Sequence, residues 1–473
     1  MRVERPSGLS DRLPGEAQAL RACQGRLQGV LASFGYQEVD TPVLEYVDLF
    51  LAKAGPAPGV RLYTLEQGGR RLCLRPEFTA SIARLFVEHL QEWPKPVRLQ
   101  FAGPAFRLET PQRGRFRQFT LVGAELLGAE GPAADAEVLA LACTALEEVG
   151  VRGYRVVLGH VGLVQQVLQG LGLSPRGQQF VLRHMESLRK PHLGRAHVER
   201  LLEALYPPAP PAAEATPQAG QAPTNGAAAD LLAGTLVSQG VFLGSRSPHE
   251  VAARLGEKRQ VAREREAIRR ALDLVEDLGT AAGPLAQAVP RARECLRGQG
   301  AALQSLDALE ATADLFAAYG LPRERLRLDL GMARGVRYYT GLVFEVHAAD
   351  APGGDSQLCG GGRYDDLVRE VGSRQPVPAA GFALGLERVV AACQQHPPHP
   401  STPDVLVIPV QPDDVAYAVR VAQLLRTQAH LQVELQVKAH LGPGPSLRLA
   451  DRRGIPVAVI VGGQEQAEGT AVL

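Results

Sequence analysis

Between Phe101 and Gly128 the chain reads FAGPAFRLETPQRGRFRQFTLVGAELLG, with Arg107, Arg113, Arg115 and Arg117 among apolar residues of strand type and Arg98 just upstream. Guanidinium forks bind phosphate oxygens bidentately, so a basic loop between two strands suits a polyphosphate or a nucleic-acid phosphate. Arginines alone would mark a solvated hairpin tip; their order says more. Arg107 and Glu109 precede a Pro-Gln-Arg-Gly turn, and Phe116, Phe119 and Leu121 then lead to Glu125. A carboxylate placed after such an apolar run is expected to point into a pocket rather than to water.

This stretch resembles motif 2 of class II aminoacyl-tRNA synthetases, in the histidyl branch. The resemblance implies that Arg107 grips the α-phosphate of ATP and that Glu109 sits at the adenine end. Arg113 and Arg115 lie in the loop shielding the nucleotide, and Glu125 faces the histidine ligand. Arg75-Pro-Glu-Phe-Thr79 is similar to the family's Arg-Pro-Glu-Gly-Thr, in which the Glu and Thr bind the substrate α-amino group, a chemistry kept by Glu77 and Thr79. Without the resemblance, Glu77 is simply a carboxylate at a helix start, offsetting the dipole. Thr79 is the expected N-cap.

Downstream, LRLDLGMARGVRYYTGLVFEV resembles the histidyl signature Arg-Gly-Leu-Asp-Tyr-Tyr. Arg334 then corresponds to the cation that neutralises carboxylate and phosphate charge in catalysis. Arg334 would also hold the histidine carboxylate, and Tyr338 and Tyr339 would line the imidazole pocket. Cys359-Gly-Gly-Gly-Arg-Tyr-Asp365 is similar to the second histidyl signature, with Tyr364 placed to bond an imidazole nitrogen. Glycines there let backbone approach a ligand. The run from Ala379 to Val389 resembles class II motif 3, in which Arg388 contacts the ATP γ-phosphate.

Three residues depart from the pattern. Leu121 stands where the histidyl enzymes place a Gln that holds the amino acid, Phe78 replaces a Gly, and Arg337 replaces an Asp. An apolar side chain cannot supply the missing hydrogen bonds. The resemblance therefore implies two activities. One is a histidine-binding regulatory subunit of ATP phosphoribosyltransferase, acting with the catalytic subunit in the first step of histidine biosynthesis. The other is a histidine–tRNA ligase using ATP, Mg²⁺ and tRNA, with Arg334 catalytic. Phe78, Leu121, Arg337 and Thr340-Gly341 lean to the regulator; the ATP-site arginines lean to the ligase.

The elements that must carry these residues follow from periodicity. Glu16 to Phe34 has helical apolar spacing ended by Gly35, and YQEVDTPVLEY then alternates like a strand. That helix–strand pair resembles motif 1, which implies a homodimer. Two short strands flank Gln67-Gly68-Gly69, a helix runs from Ala133 to Val149, and a strand ends at His160. The expected fold is α+β: a class II synthetase-like antiparallel core with a helical insertion and a small C-terminal α/β domain resembling an anticodon-binding domain. The expected domains are residues 1–160, a helical insertion at 161–320, a second core half at 321–396, and 404–473. Residues 207–229, rich in Pro, Ala and Gly, are expected to be disordered. The charged run from Arg254 to Arg270 reads as a solvated helix face.

Composition bounds the rest. With 51 basic and 50 acidic residues no global field draws nucleic acid, so any RNA contact is local. Six scattered cysteines without a C-x-x-C pair suit a reduced, cytoplasmic setting without structural zinc or another metal site. No apolar run reaches membrane-spanning length.

Overall fold

The computed structural model describes residues 4–54, 62–108, 116–190, 193–206, 248–332, 338–349, 357–393, 402–437 and 443–473. The calls on Glu109, Arg113, Arg115, Arg334, Arg337 and residues 207–229 lie outside them. The chain divides into a larger unit, Met1–Ser10 with Cys23–Gln394, and a smaller one, Asp11–Ala22 with Gln395–Leu473.

A nine-stranded sheet runs through the larger unit. Its strands are β1 (Gln37–Glu38), β5 (Val97–Phe106), β6 (Gln118–Leu127), β12 (Ala379–Gly385), β11 (Gln357–Arg363), β10 (Leu342–Ala348), β7 (Tyr154–His160), β9 (Leu326–Leu328) and β8 (Gly283–Pro284), in that spatial order. The six strands from β5 to β7 are mutually antiparallel, while β1 joins β5 and β9 joins β7 in parallel. The only proline-ended strand of this sheet, β8, lies at its edge, where a missing N–H costs least.

β5 and β6 form the long hairpin expected from the alternation around Arg107, paired from Val97–Leu127 to Phe106–Gln118. One face of β6 carries Leu121 and Leu127, which pack with Phe78 just before helix α3 (Thr79–Leu85), with Ile82 and Ala83 on it, and with Phe86 after it. Alternation turns Val122, Ala124 and Leu126 to the other face. Helix α4 (Gly131–Glu148) packs on the sheet and on the helix Gly300–Ala318. It buries Val138, Leu139, Leu141 and Leu146 together, as a helix covered on both sides requires.

Two local expectations are corrected. The residue at the N-cap of α3 is Phe78, not Thr79; the Glu77 carboxylate accepts the Thr79 N–H (2.8 Å) and the Ala80 N–H (3.2 Å) in its place. A carboxylate reaches two orphan donors where a hydroxyl reaches one, and it also meets the positive helix end. Arg98 does not belong to the basic loop: its Nε and Nη2 each lie 2.8 Å from the Glu137 carboxylate, which also accepts from Tyr36.

A separate antiparallel sheet, in the order β2 (Leu44–Tyr46), β4 (Arg70–Leu74), β3 (Thr64–Gln67), precedes α3. After β7, the helices Val161–Gly170, Pro175–Arg189, Gly194–Leu205, Pro248–Thr280, Leu285–Cys295 and Gly300–Ala318 make up the helical stretch between the core halves. No helix among the described residues is long and apolar enough to cross a membrane.

The smaller unit holds a parallel sheet, β14 (Val433–Leu435), β13 (Val405–Pro409) and β15 (Val457–Val461), with apolar clusters on both faces. Between β13 and β14 a helix runs from Val415 to Gln428, after a turn at Pro412–Asp414 in which Gln411 and Asp414 cap each other.

Candidate functional site

Glu125 is 1 % exposed, and the Tyr364 hydroxyl donates to its Oε2. The register sets Glu125 opposite Gly381 of β12, and Gly381 opposite Gly362 of β11. A Cβ on Gly381 would fall 1.5 Å from Glu125 Oε2, and one on Gly362 would fall 2.9 Å from the Tyr339 ring. The glycines of the Cys359–Asp365 run and of motif 3 thus make the room that the carboxylate and the phenol occupy.

The ring centroids of Tyr338 and Tyr339 lie 4.1 Å apart, and those of Tyr338 and Tyr364 lie 6.1 Å apart. All three phenols are held well above their usual range, first by desolvation. The Glu125 and Glu77 carboxylates push Tyr338 and Tyr339 further up, and Glu125 does the same to Tyr364. The phenols are therefore hydrogen-bond donors at any physiological pH, and that of Tyr364 donates to the Glu125 carboxyl. The cluster suits a compact ligand that presents both N–H donors and a ring. A buried carboxylate favours a cationic or donor-rich group over an apolar one.

Leu121, 6 % exposed, belongs to an apolar group with Phe78 and Phe101. Phe78 stacks on Phe101 at 4.4 Å, and the Arg75 guanidinium lies 3.9 Å from the Phe78 ring. The side chain of Phe78 is therefore spent on core packing. Arg75 is 1 % exposed and held by the carbonyls of Thr41 and Pro104. A Cβ on Gly103 would meet Arg75 at 2.7 Å and Phe78 at 3.1 Å. Glycine at 103 is what admits the larger residue at 78.

The remaining expected residues fall around this cluster. Arg107 donates from Nε to the Pro76 carbonyl (3.1 Å), and its guanidinium lies 5.1 Å from the Phe119 ring. Thr79 opens α3. Arg388 lies at the opposite end of β11, where Nη1 donates to the Gln357 carbonyl (2.9 Å). Glu387, just before it, accepts the Thr120 N–H at 2.9 and 3.0 Å, tying motif 3 to β6. Sequence reasoning passed over Gly381, Glu387 and Arg363. Of these, only Gly381 carried a signal, as a glycine inside a strand where close approach is expected.

An antiparallel sheet core with these three motif segments is that of a class II synthetase-like protein. The Histidyl-tRNA synthetase family matches residues 8–232 and 245–389, and the Anticodon binding domain family matches 404–473. The chain belongs to the histidyl-tRNA synthetase family. It is 36% identical over 391 residues to the ATP phosphoribosyltransferase regulatory subunit of Moorella thermoacetica, covering 82% of each chain. It is also 31% identical over 477 residues to the histidine–tRNA ligase of Methanosarcina acetivorans, covering 100% of this chain and 94% of that one. Among solved structures, an ATP phosphoribosyltransferase regulatory subunit/histidyl-tRNA synthetase from Bacillus halodurans shares the fold, with a TM-score of 0.66, 23% identity, and coverage of 98% of this chain and 99% of that one.

Proposed function

We propose that the protein binds free histidine in the Glu125–Tyr364 cluster and acts as a regulatory subunit of ATP phosphoribosyltransferase, without activating the amino acid. The observation that carries this reading is the contrast at one pocket. Glu125 and the three tyrosines converge, while the wall where the ligases hold the amino acid is the apolar Leu121, buried beside Phe78 and Phe101. In this reading Glu125 and Tyr364 take the imidazole, with Tyr338 and Tyr339 lining it. Glu77 and Thr79 take the α-amino group, and Arg107 and Arg334 take the carboxylate. The 36%-identical Moorella relative supports the assignment to the regulator.

The second reading, a histidine–tRNA ligase, is favoured by Arg107 and Arg388, whose counterparts in the family grip ATP phosphates, and by the Methanosarcina relative. Glu109 and Arg115 would join them on the nucleotide, and Mg²⁺ and tRNA would be required. Residues 1–160, 161–320, 321–396 and 404–473 serve as the working domain division in either case.

A homodimer through the Phe34–Leu44 segment is part of the proposal. Val43, Leu44 and Tyr46 are exposed there, beside a cavity of about 500 Å³ between Glu38–Val43 and Arg75, Ala102 and Pro104. Light scattering at micromolar concentration should give a dimer; a monomer contradicts this part. A cytoplasmic location is supported by six free cysteines. The functional test is reconstitution with a catalytic phosphoribosyltransferase: adding the protein should change its rate, and histidine should change it again. No effect of either, with the protein folded, contradicts the regulator.

A further inference from the structure

Arg363 lies one residue beyond Gly362, which the register aligns with Gly381 and Glu125. Successive strand residues face opposite ways, so the Arg363 side chain projects behind the sheet, away from the tyrosine cluster. There its Nε is 2.8 Å from Asp135 Oδ1, on α4, and Nη2 is 2.7 Å from the same oxygen. Its Nη1 donates to the Ala129 carbonyl and to Asp365 Oδ1, both at 3.0 Å. The side chain is 8% exposed. Desolvation alone would weaken the guanidinium's hold on its proton, but Asp135 and Asp365 outweigh it, and the cation is secured.

The network reaches the site through Thr340. The Thr340 hydroxyl donates to Asp365 Oδ2 (3.0 Å) and accepts the Asp365 N–H (3.0 Å), while the Thr340 N–H donates to the Arg363 carbonyl (2.8 Å). On the other side, the Gly341 carbonyl accepts the Val161 N–H (2.9 Å), and a Cβ on Gly162 would come within 2.3 Å of the Thr340 carbonyl. Thr340 directly follows Tyr338 and Tyr339, and Tyr364 sits between Arg363 and Asp365. Two segments that bring three tyrosines to one cluster are therefore tied to each other, beyond their backbone pairing, by the Thr340 hydroxyl and the Asp365 carboxylate that Arg363 holds.

We propose that Arg363, Asp135, Asp365 and Thr340 form a positioning network that fixes Tyr338, Tyr339 and Tyr364 from behind the sheet. None of the four touches the ligand, and the proposal rests on the histidine-binding reading above. Buried polar networks hold an arrangement through the hydrogen bonds they make and lose it when a member is removed; here Arg363 Nε and Nη1 and the Thr340 hydroxyl make those bonds, while Nη2 makes none of its own among the described residues.

The test uses the full chain and two substitutions at Thr340. Thr340→Val keeps the shape and removes the hydroxyl; Thr340→Ser keeps the hydroxyl. Calorimetry with histidine is paired with fluorine NMR of 3-fluorotyrosine-labelled protein, assigned with the three Tyr→Phe variants. Thr340→Val should weaken histidine binding about tenfold and move the resonances of Tyr338, Tyr339 and Tyr364. Thr340→Ser should restore both, which a purely structural role for the position would not require. If the wild type binds histidine and Thr340→Val changes neither affinity nor resonances, the network is overturned and the histidine reading stands. If the wild type binds no histidine, the histidine reading is overturned. The resonances then decide the network alone: movement in Thr340→Val that Thr340→Ser reverses supports it, and its absence overturns it.

Discussion

At the Tyr364 end of β11 a buried carboxylate and a buried phenol satisfy each other, whereas at the Gln357 end Arg388 donates to a backbone carbonyl. Arg107 likewise uses the Pro76 carbonyl. The first arrangement is side chain to side chain, dry, and built into the sheet by Gly381. The two arginine bonds named go to main-chain oxygens, neutral acceptors rather than a carboxylate. The Glu125 end is thus pre-organised, and disturbing it is costly; the arginine bonds named rest on neutral acceptors.

The largest effect should come from closing the space under Glu125. Gly381→Ala forces its Cβ onto Glu125 Oε2 and to 2.6 Å from the Ala124 carbonyl. Overpacking of this kind costs about 1–3 kcal/mol of stability and should reduce histidine affinity on the order of a hundredfold. Denaturant melts and calorimetry read the two effects separately. An alanine tolerated in both would break the contrast, because the Glu125 end would then be as adaptable as the arginine end.

Glu125→Ala should come next, weakening histidine binding about tenfold or more, since a hydrogen bond to a charged group contributes roughly 1.5–3 kcal/mol. It also leaves the Tyr364 hydroxyl without its carboxylate. Calorimetry showing unchanged affinity would remove Glu125 from the site.

His160 sharpens the comparison through pH. It caps the helix Val161–Gly170 by accepting the Leu163 N–H at Nδ1, and burial, with Arg363 nearby, lowers its pKa from 6.5 to about 4. A depressed folded value means that the unfolded chain takes up the proton first. The stability His160 contributes is fully present above pH 6.5 and is lost as pH falls to 4 and below, on the order of 3 kcal/mol. His160→Asn keeps a capping oxygen and should flatten that part of the stability–pH curve. An unchanged slope would show that the acid sensitivity originates elsewhere.

The smallest effect should be at Arg98. Its pairing with Glu137 is partly exposed, so Arg98→Met should cost about 1 kcal/mol and leave histidine affinity unchanged. Loss of histidine binding in that variant would extend the site beyond the sheet face described here.

Much of this was legible in the sequence for a physical reason: alternation around Arg107 and helical spacing in Glu16–Phe34 are local signals, and they formed the strands β5 and β6 and a helix at Pro14–Ser33. The convergence of Glu125, Tyr338, Tyr339 and Tyr364 was readable through motif resemblance. What stayed hidden depends on contacts distant in sequence. Arg98 looked like a phosphate ligand because Glu137 is 39 residues away. Phe78 looked like an intruder near the ligand because nothing local shows that Gly103 clears its path to Phe101. The pairing of Arg363 with Asp135 spans 228 residues and has no periodic signature.

The central claim is that the histidine site has been kept and histidine activation has not. Histidine-dependent exchange of pyrophosphate into ATP tests this most directly, on protein whose histidine binding has been established by calorimetry. On the proposed reading Leu121, which lies in an apolar cluster, offers no hydrogen bond to hold a carboxylate in line with an α-phosphate, and positioning has large leverage on such a step. The account predicts no exchange above the histidine-free blank. Robust histidine-dependent exchange, followed by charging of tRNA, would contradict it and establish the ligase.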